Sequence, residues 1–229
     1  IVLSHQLFTG PSARLRTELY YQQLFEVPET TILRRRISAI NWEEAFLQTN
    51  LPFRNTGSGR NYGLEVSWQQ YFSNSYYYLL NASIFDSRYT DDEVQRNTRF
   101  NSNYLFNLTG GKEFSKNKKG SQRTWGINLR ITYIGGFWET PIDESASARL
   151  NYTVYDLSQA FTLRQPDVFK IDSRFYFRRD RQKSSTTVAL DLQNMTNQQH
   201  LAYRYYDSFQ GQVVDNFQLG LIPNLSWRI

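Results

Sequence analysis

Over long stretches of this chain an apolar residue is followed by a polar one, and the next is apolar again. From Phe217 to Ile229 every odd position is apolar, with Gln218, Gly220, Ile222, Asn224, Ser226 and Arg228 between. Successive side chains of a β-strand point to opposite faces, so this pattern commits a segment to a strand with two unlike faces. Trp125, Ile127, Leu129, Ile131 and Tyr133 alternate with Asn128, Arg130 and Thr132. Phe169, Ile171, Ser173, Phe175 and Phe177 alternate with Lys170, Asp172, Arg174 and Tyr176. The same reading covers 62–68, 76–84, 100–108, 188–192 and, near the start, 15–21. With residues 1–8, whose pattern is ambiguous, it predicts nine strands.

Composition narrows what such strands build. The 229 residues hold no cysteine, one methionine and two histidines, which excludes a disulfide scaffold and a thiolate metal site. No apolar run nears the ~18 residues of a transmembrane helix. With 16% aromatic residues, the chain is not of the disordered class. A soluble β-sandwich and a membrane β-barrel remain, since a barrel strand turns only every second residue to lipid.

The connections favour the barrel. Short polar turns at 9–13, 73–75, 115–123 and 180–184 alternate with long links at 27–60, 90–97, 135–166 and 196–216. Outer-membrane barrels have short turns on the periplasmic rim and long loops outside. A short helix is expected near 41–46. Aromatics bracket the apolar faces, with Trp125 and Tyr133 at the two ends of one strand and Phe217 and Trp227 at the ends of another. At ~3.3 Å per residue and a tilt near 45°, ten residues rise about 23 Å, close to the ~25 Å apolar band of a barrel. The expected fold is therefore all-β, an antiparallel up-and-down transmembrane β-barrel. Bacterial barrels have an even strand count and both ends in the periplasm. Nine strands starting at the long-loop rim are thus expected to be a C-terminal part, residues 1–229, of a larger barrel.

Several stretches together resemble one family. They are Asn55–Glu65, Tyr76–Tyr89, Asn107–Phe114, Arg130–Gly136, Thr140–Asp143, Leu190–Asn197 and the run from Gln218 to Ile229. In this order they resemble the C-terminal barrel of TonB-dependent outer-membrane receptors of the Bacteroidetes type. The resemblance implies a barrel of twenty-two strands around an N-terminal plug domain, of which this chain supplies about the last nine. It implies import of a bound nutrient ligand, energised by the inner-membrane TonB complex through the N-terminal region, and residence in the bacterial outer membrane. The family usually ends in an aromatic residue, so the natural chain is expected to continue about two residues past Ile229, in register with the pleat. A passive porin, or a structural barrel subunit of an outer-membrane complex, is the alternative.

On this reading the lumen face, toward the plug, comprises Glu65, Asn81, Asn101, Asn103, Asn128, Arg130, Asp172, Arg174, Asp191 and Arg228. Trp42, Trp138, Tyr203, Tyr205 and Tyr206 lie in the long loops, where aromatic faces can pack on a ligand while polar edges hydrogen bond. Each serves a girdle or loop-packing role equally well. Expected partners are outer-membrane lipid and lipopolysaccharide, the upstream strands and plug, the TonB complex, and a surface lipoprotein or neighbouring subunit. Arg34-Arg35-Arg36 suits phosphate pairing or a solvated charge run. Asp91-Asp92-Glu93 offers oxygen ligands that suit calcium but also reads as a solvated loop tip. His5 and His200 lack ligand spacing, so no metal and no cofactor are expected. No nucleophile–base pair, phosphate loop or HExxH occurs, so no enzyme is expected. The aromatics do not interleave with a basic run, so neither is a nucleic-acid partner.

Overall fold

The computed structural model describes residues 1–32, 35–41, 52–91, 93–118 and 120–229. The first half of the chain holds β1 (Val2–Gly10), β2 (Ala13–Ile32), β3 (Arg35–Ser38), β4 (Phe53–Ser73), β5 (Tyr76–Asp91), β6 (Val94–Asn97), β7 (Tyr104–Lys118) and β8 (Ser121–Ile134). The second half holds β9 (Trp138–Glu139), α1 (Glu144–Leu150), β10 (Leu163–Arg164), β11 (Val168–Asp180), β12 (Ser185–Gln193), β13 (Leu201–Asp207), β14 (Gln212–Phe217) and β15 (Ile222–Arg228). The main sheet runs β1-β2-β4-β5-β7-β8-β11-β12-β15, antiparallel throughout. β3 and β6 extend it beside β2 and β5. The sheet is an open up-and-down meander, with β1 and β15 as its two edges.

Register turns the alternating sequence into rows. Tyr104 follows Ile84, Leu64, Leu19 and Leu3 along one row. Phe169, Tyr133, Phe106, Ala82 and Val66 make the next, and Ile171, Ile131, Leu108, Leu80, Trp68, Leu15 and Leu7 the one below. At the short-turn end Phe114, Trp125, Phe177, Val188 and Trp227 form a largely aromatic row. Cross-strand pairs of this kind contribute roughly 0.2 to 1 kcal/mol each. Here the rings meet, Trp125 and Phe177 at 4.5 Å and Trp68 and Tyr78 edge to face at 5.3 Å.

This apolar face is open. Trp227 is 73% exposed, Ile84 68% and Trp125 62%, and Leu129 in mid-strand is still 39% exposed. Among the described residues the buried apolar side chains are few: Val27, Tyr89, Ala146, Ala160 and Ala189. Among the described residues the two other sheets are two-stranded hairpins, β9-β10 and β13-β14, within the long loops. Among the described residues no second sheet covers the apolar face, as a sandwich would require.

Several boundaries differ from the sequence reading. Phe217–Ile229 is not one strand. Phe217 pairs with Leu201 in the β13–β14 hairpin, Gln218–Leu221 is irregular, and only β15 joins the main sheet. The strand expected from Phe100 begins at Tyr104. The helix expected near 41–46 falls mostly outside the described residues; Ala39–Asn41 is a 3-10 turn. α1 lies instead in the 135–166 link, where Asp143 accepts from the Ala146 amide as N-cap and Asn151 ends the helix with φ 59°.

β2 and β4 run 20 and 21 residues, well beyond the expected strands. Their register steps twice near the long-loop end, between Leu24 and Val27 on one side and between Gly57 and Asn55 on the other. β2 carries one extra residue in the first step and β4 one in the second, so the two bulges cancel. Glu26, within the first, has a left-handed φ of 53°.

Candidate functional site

The site has two parts, the polar face of the sheet and the rim where the long connections meet. On the polar face, register places Glu65, Asn81, Asn128, Arg130, Asp172, Arg174, Asp191 and Arg228 on one side of the sheet. Four of them pair with one another. Arg130 reaches Asp172 across the β8–β11 ladder, with Nε 2.8 Å from Oδ2, and Asp172 Oδ1 accepts the Asn194 amide at 2.8 Å. Arg174 Nη1 lies 3.1 Å from both oxygens of Asp191. Asn128 accepts from the Tyr77 hydroxyl at 3.2 Å, and Asn81 from Ser67 at 2.6 Å. The Tyr176 hydroxyl donates to Glu113. A recess of about 340 Å³ on this face is lined by Tyr20, Glu65, Ser67, Asn81, Ser83 and Phe85 among others.

Asn101 and Asn103 depart from the expected strand face. Both precede β7 in the turn that leads into it. Asn101 is fully buried and donates to Asp86 and Asn97, while its Oδ1 accepts the Ser87 amide at 2.9 Å. Asn103 has a left-handed φ of 67° and donates its side-chain amide to Phe85 O. Asparagine tolerates that backbone and supplies local hydrogen bonds, so these two residues fasten a turn rather than line a strand.

At the rim the long connections interlock. Trp138 donates its indole N–H to Asn101 O at 2.8 Å, and its backbone amide bonds Arg99 O. The Arg99 amide in turn donates to Asn41 Oδ1 at 2.8 Å. The Arg164 guanidinium lies over the rings of Tyr104 and Trp138 and donates to Ser102 O. Arg96 bonds Ser158 O, and Tyr89 meets Phe161 edge to face. Arg204 on β13 bridges Glu139 of one link and Asp215 of its own hairpin. The Tyr206 amide donates to Thr153 Oγ1 at 2.9 Å.

The loop aromatics therefore divide. Trp138 is tied into the rim, and the Tyr206 backbone is anchored to the neighbouring link. Tyr203 and Tyr205 share the other face of β13, half-exposed, with ring centroids 6.0 Å apart. Trp42, Arg34 and Asp92 lie outside the described residues, as do the side chains of Arg35, Arg36 and Asp91. Among the described residues no three His, Asp or Glu side chains gather as metal ligands would.

Sequence reasoning missed Arg204, Glu139, Arg164 and Asp167, which hold the rim together. A signal existed for the first: two β-prone runs, 201–207 and 212–217, flank Gly211, a hairpin pattern. The acceptor role of Asp167 depends on side chains distant in sequence and has no local signature.

Two groups outside the main sheet have shifted protonation. The Tyr104 hydroxyl, aided by Tyr133 and the Gly136 amide, holds the Asp167 carboxyl below the usual carboxylate range. Burial pushes the His200 imidazole below its ordinary value, against the opposing effect of its 3.0 Å hydrogen bond to Phe169 O. No family model, curated protein or solved structure matches this chain.

Proposed function

We propose that this sheet is a stretch of wall of a transmembrane β-barrel in the bacterial outer membrane, belonging to a TonB-dependent receptor that imports a bound nutrient. The observation that carries the membrane reading is the open apolar face. It spans nine strands, ends in aromatic side chains at both rims, and backs onto a face of paired charges. Soluble monomers rarely expose a contiguous apolar patch larger than a few hundred Å². In lipid the same face is favourable, with its aromatic rows at the two interfaces. The edges β1 and β15 pair with further strands, because an unpaired edge in the bilayer would leave backbone groups without hydrogen bonds.

Import is supported by the ordered sequence resemblance and by the division of labour between rims. The interlocked long connections make a structured mouth, in which Tyr203 and Tyr205 offer aromatic faces. The polar face, lining the lumen, meets a plug through polar, partly wetted contacts.

The test uses the full natural chain in its host. It should fractionate with the outer membrane and migrate faster on a gel before boiling than after. Growth on its nutrient should stop when the TonB complex is removed. Growth that persists without TonB points to a passive porin and overturns the import reading. A chain that stays in the soluble fraction overturns the membrane reading as well.

A further inference from the structure

Beyond the aromatic row at the short-turn rim lies a row of cations. Lys116 pairs with Arg123 across β7–β8, and Arg123 with Arg179 across β8–β11. All three share the face of Phe114, Trp125 and Phe177, two residues further toward the turns. Lys112 and Lys118 lie on the same face of β7, and the Lys112 ammonium sits 5.3 Å from the Phe114 ring. Like charges directly opposite on neighbouring strands destabilise a sheet. Among the described residues none of these five cations is ion-paired with a carboxylate. The Nε atoms of Arg123 and Arg179 are shut off from solvent with no hydrogen-bond partner. Arg181 adds its charge close to Arg179. The row therefore lacks a counter-charge, and its guanidiniums have donors to spare for an oxyanion.

We infer that Lys116, Arg123 and Arg179 bind the phosphate of an anionic phospholipid headgroup, whose acyl chains lie on the apolar rows above. This rests on the membrane reading proposed above. The occupant follows from continuity. A phosphate at the cation row has the aromatic row next to it, and Ile127, Phe175, Leu190 and Leu225 continue beyond on the same face; Lys112, opposite Ile127 in that row, keeps its ammonium beside the Phe114 ring of the aromatic row. That sequence of headgroup, interface and hydrocarbon matches an amphiphile, whereas a free phosphate would leave the apolar rows unused.

The test places the full natural chain in phosphatidylcholine vesicles with and without phosphatidylglycerol. Native mass spectrometry then reads the lipid retained after extraction. Phosphatidylglycerol should be kept in preference to phosphatidylcholine. Replacing the three cations together (Lys116→Gln, Arg123→Gln, Arg179→Gln) should weaken retention on the order of a hundredfold, at about fivefold per cation near an anionic lipid. The charge-keeping pair Arg123→Lys and Arg179→Lys should retain it. Equal retention of the two lipids by the natural chain overturns the inference without need of any variant. So does displacement of phosphatidylglycerol by inorganic phosphate alone, which assigns the row to a free anion. Insertion without lipid preference leaves the membrane reading standing, whereas failure to enter any vesicle overturns both.

Discussion

Tyr104 and Tyr133 stand beside each other at the long-loop end of β7 and β8, with rings stacked 5.6 Å apart, and both hydroxyls donate to Oδ2 of Asp167. The other carboxylate oxygen accepts the Gly136 amide at 2.9 Å. One ionised side chain thus ties two adjacent strands to the start of the 135–166 link. The link also needs its glycines, because a Cβ at Gly135 or Gly136 would collide with backbone carbonyls of Ser102 or Gln165.

Asp167 should make this end of the sheet sensitive to acid. Its carboxyl is held below the usual range, so the folded state favours the charged form. The stabilisation is present above the unfolded value near 4 and is lost as pH falls through the lower folded value. Asp167→Asn should loosen the link by about 1 kcal/mol at neutral pH, a discount for exposure from the usual worth of charged hydrogen bonds. Hydrogen exchange at the Gly136 amide checks both effects: the variant should exchange faster and lose the acid dependence.

The two faces of β8 should differ in their tolerance of charge. Leu129 lies on the apolar face between Gly110 and Ser173, and Asn128 on the polar face beside Tyr77. On the barrel reading proposed above, Leu129→Arg should cost about 2 to 4 kcal/mol in lipid. Asn128→Arg should cost about 1 kcal/mol, for the hydrogen bond it loses. Denaturant unfolding in lipid measures both, and equal costs would remove the assignment of faces.

His200 should loosen the β13–β14 region on mild acidification. The residue is only 7% exposed, and its imidazole bonds the carbonyl of Phe169. Burial lowers the folded pKa, so the contribution to stability is full above the unfolded value near 6.5. It is lost as pH falls from there through the folded pKa. The backbone of His200 also accepts the Gln218 amide at 2.8 Å. Exchange at Gln218 should rise as pH drops below about 6.5, after correction for the intrinsic rate. His200→Gln should flatten that profile.

Gly126 should resist replacement because Tyr176 occupies its face. The ring lies over the glycine, and a Cβ there would overlap it. Gly126→Ala should cost about 1 to 3 kcal/mol by overpacking. Tyr176→Phe should cost about 1 kcal/mol, through loss of the hydrogen bond to Glu113. If alanine acts by expelling the ring and breaking that bond, the double variant should cost less than the sum of the single ones. Strict additivity in denaturant melts would show the two positions to be uncoupled.

The period of two was enough to read the strands whose faces differ throughout. Trp125–Tyr133 and Phe169–Phe177 sit in β8 and β11 with their odd residues on the apolar face, because packing and register act on every second side chain alike. The reading failed where something other than the pleat governs. Phe217 kept the alternation across an irregular stretch, and only pairing with Leu201 assigns it to a separate hairpin. Asn101 sat among alternating residues, yet its four-way hydrogen bonding holds a turn. α1 is seven residues long, too short for helical periodicity to register. The rim contacts, such as Arg204 with Glu139, join residues far apart in sequence, and no local pattern encodes them.

The cancelling bulges in β2 and β4 give the parity of each strand a boundary. Toward the short turns, even residues of β2 share the polar face; past Glu26, the odd residues Val27 and Glu29 take that side, with Glu29 packed on Gly57. β4 changes sense one step later, at Thr56, whose hydroxyl donates to Glu29. Loss of one residue from either strand alone would slip the remaining pairs and turn Glu29 away from Thr56. Loss of one residue from each would restore the match. Length changes in this hairpin are therefore tolerated in pairs, one in each strand, so related chains should gain or lose residues near positions 26 and 56 together.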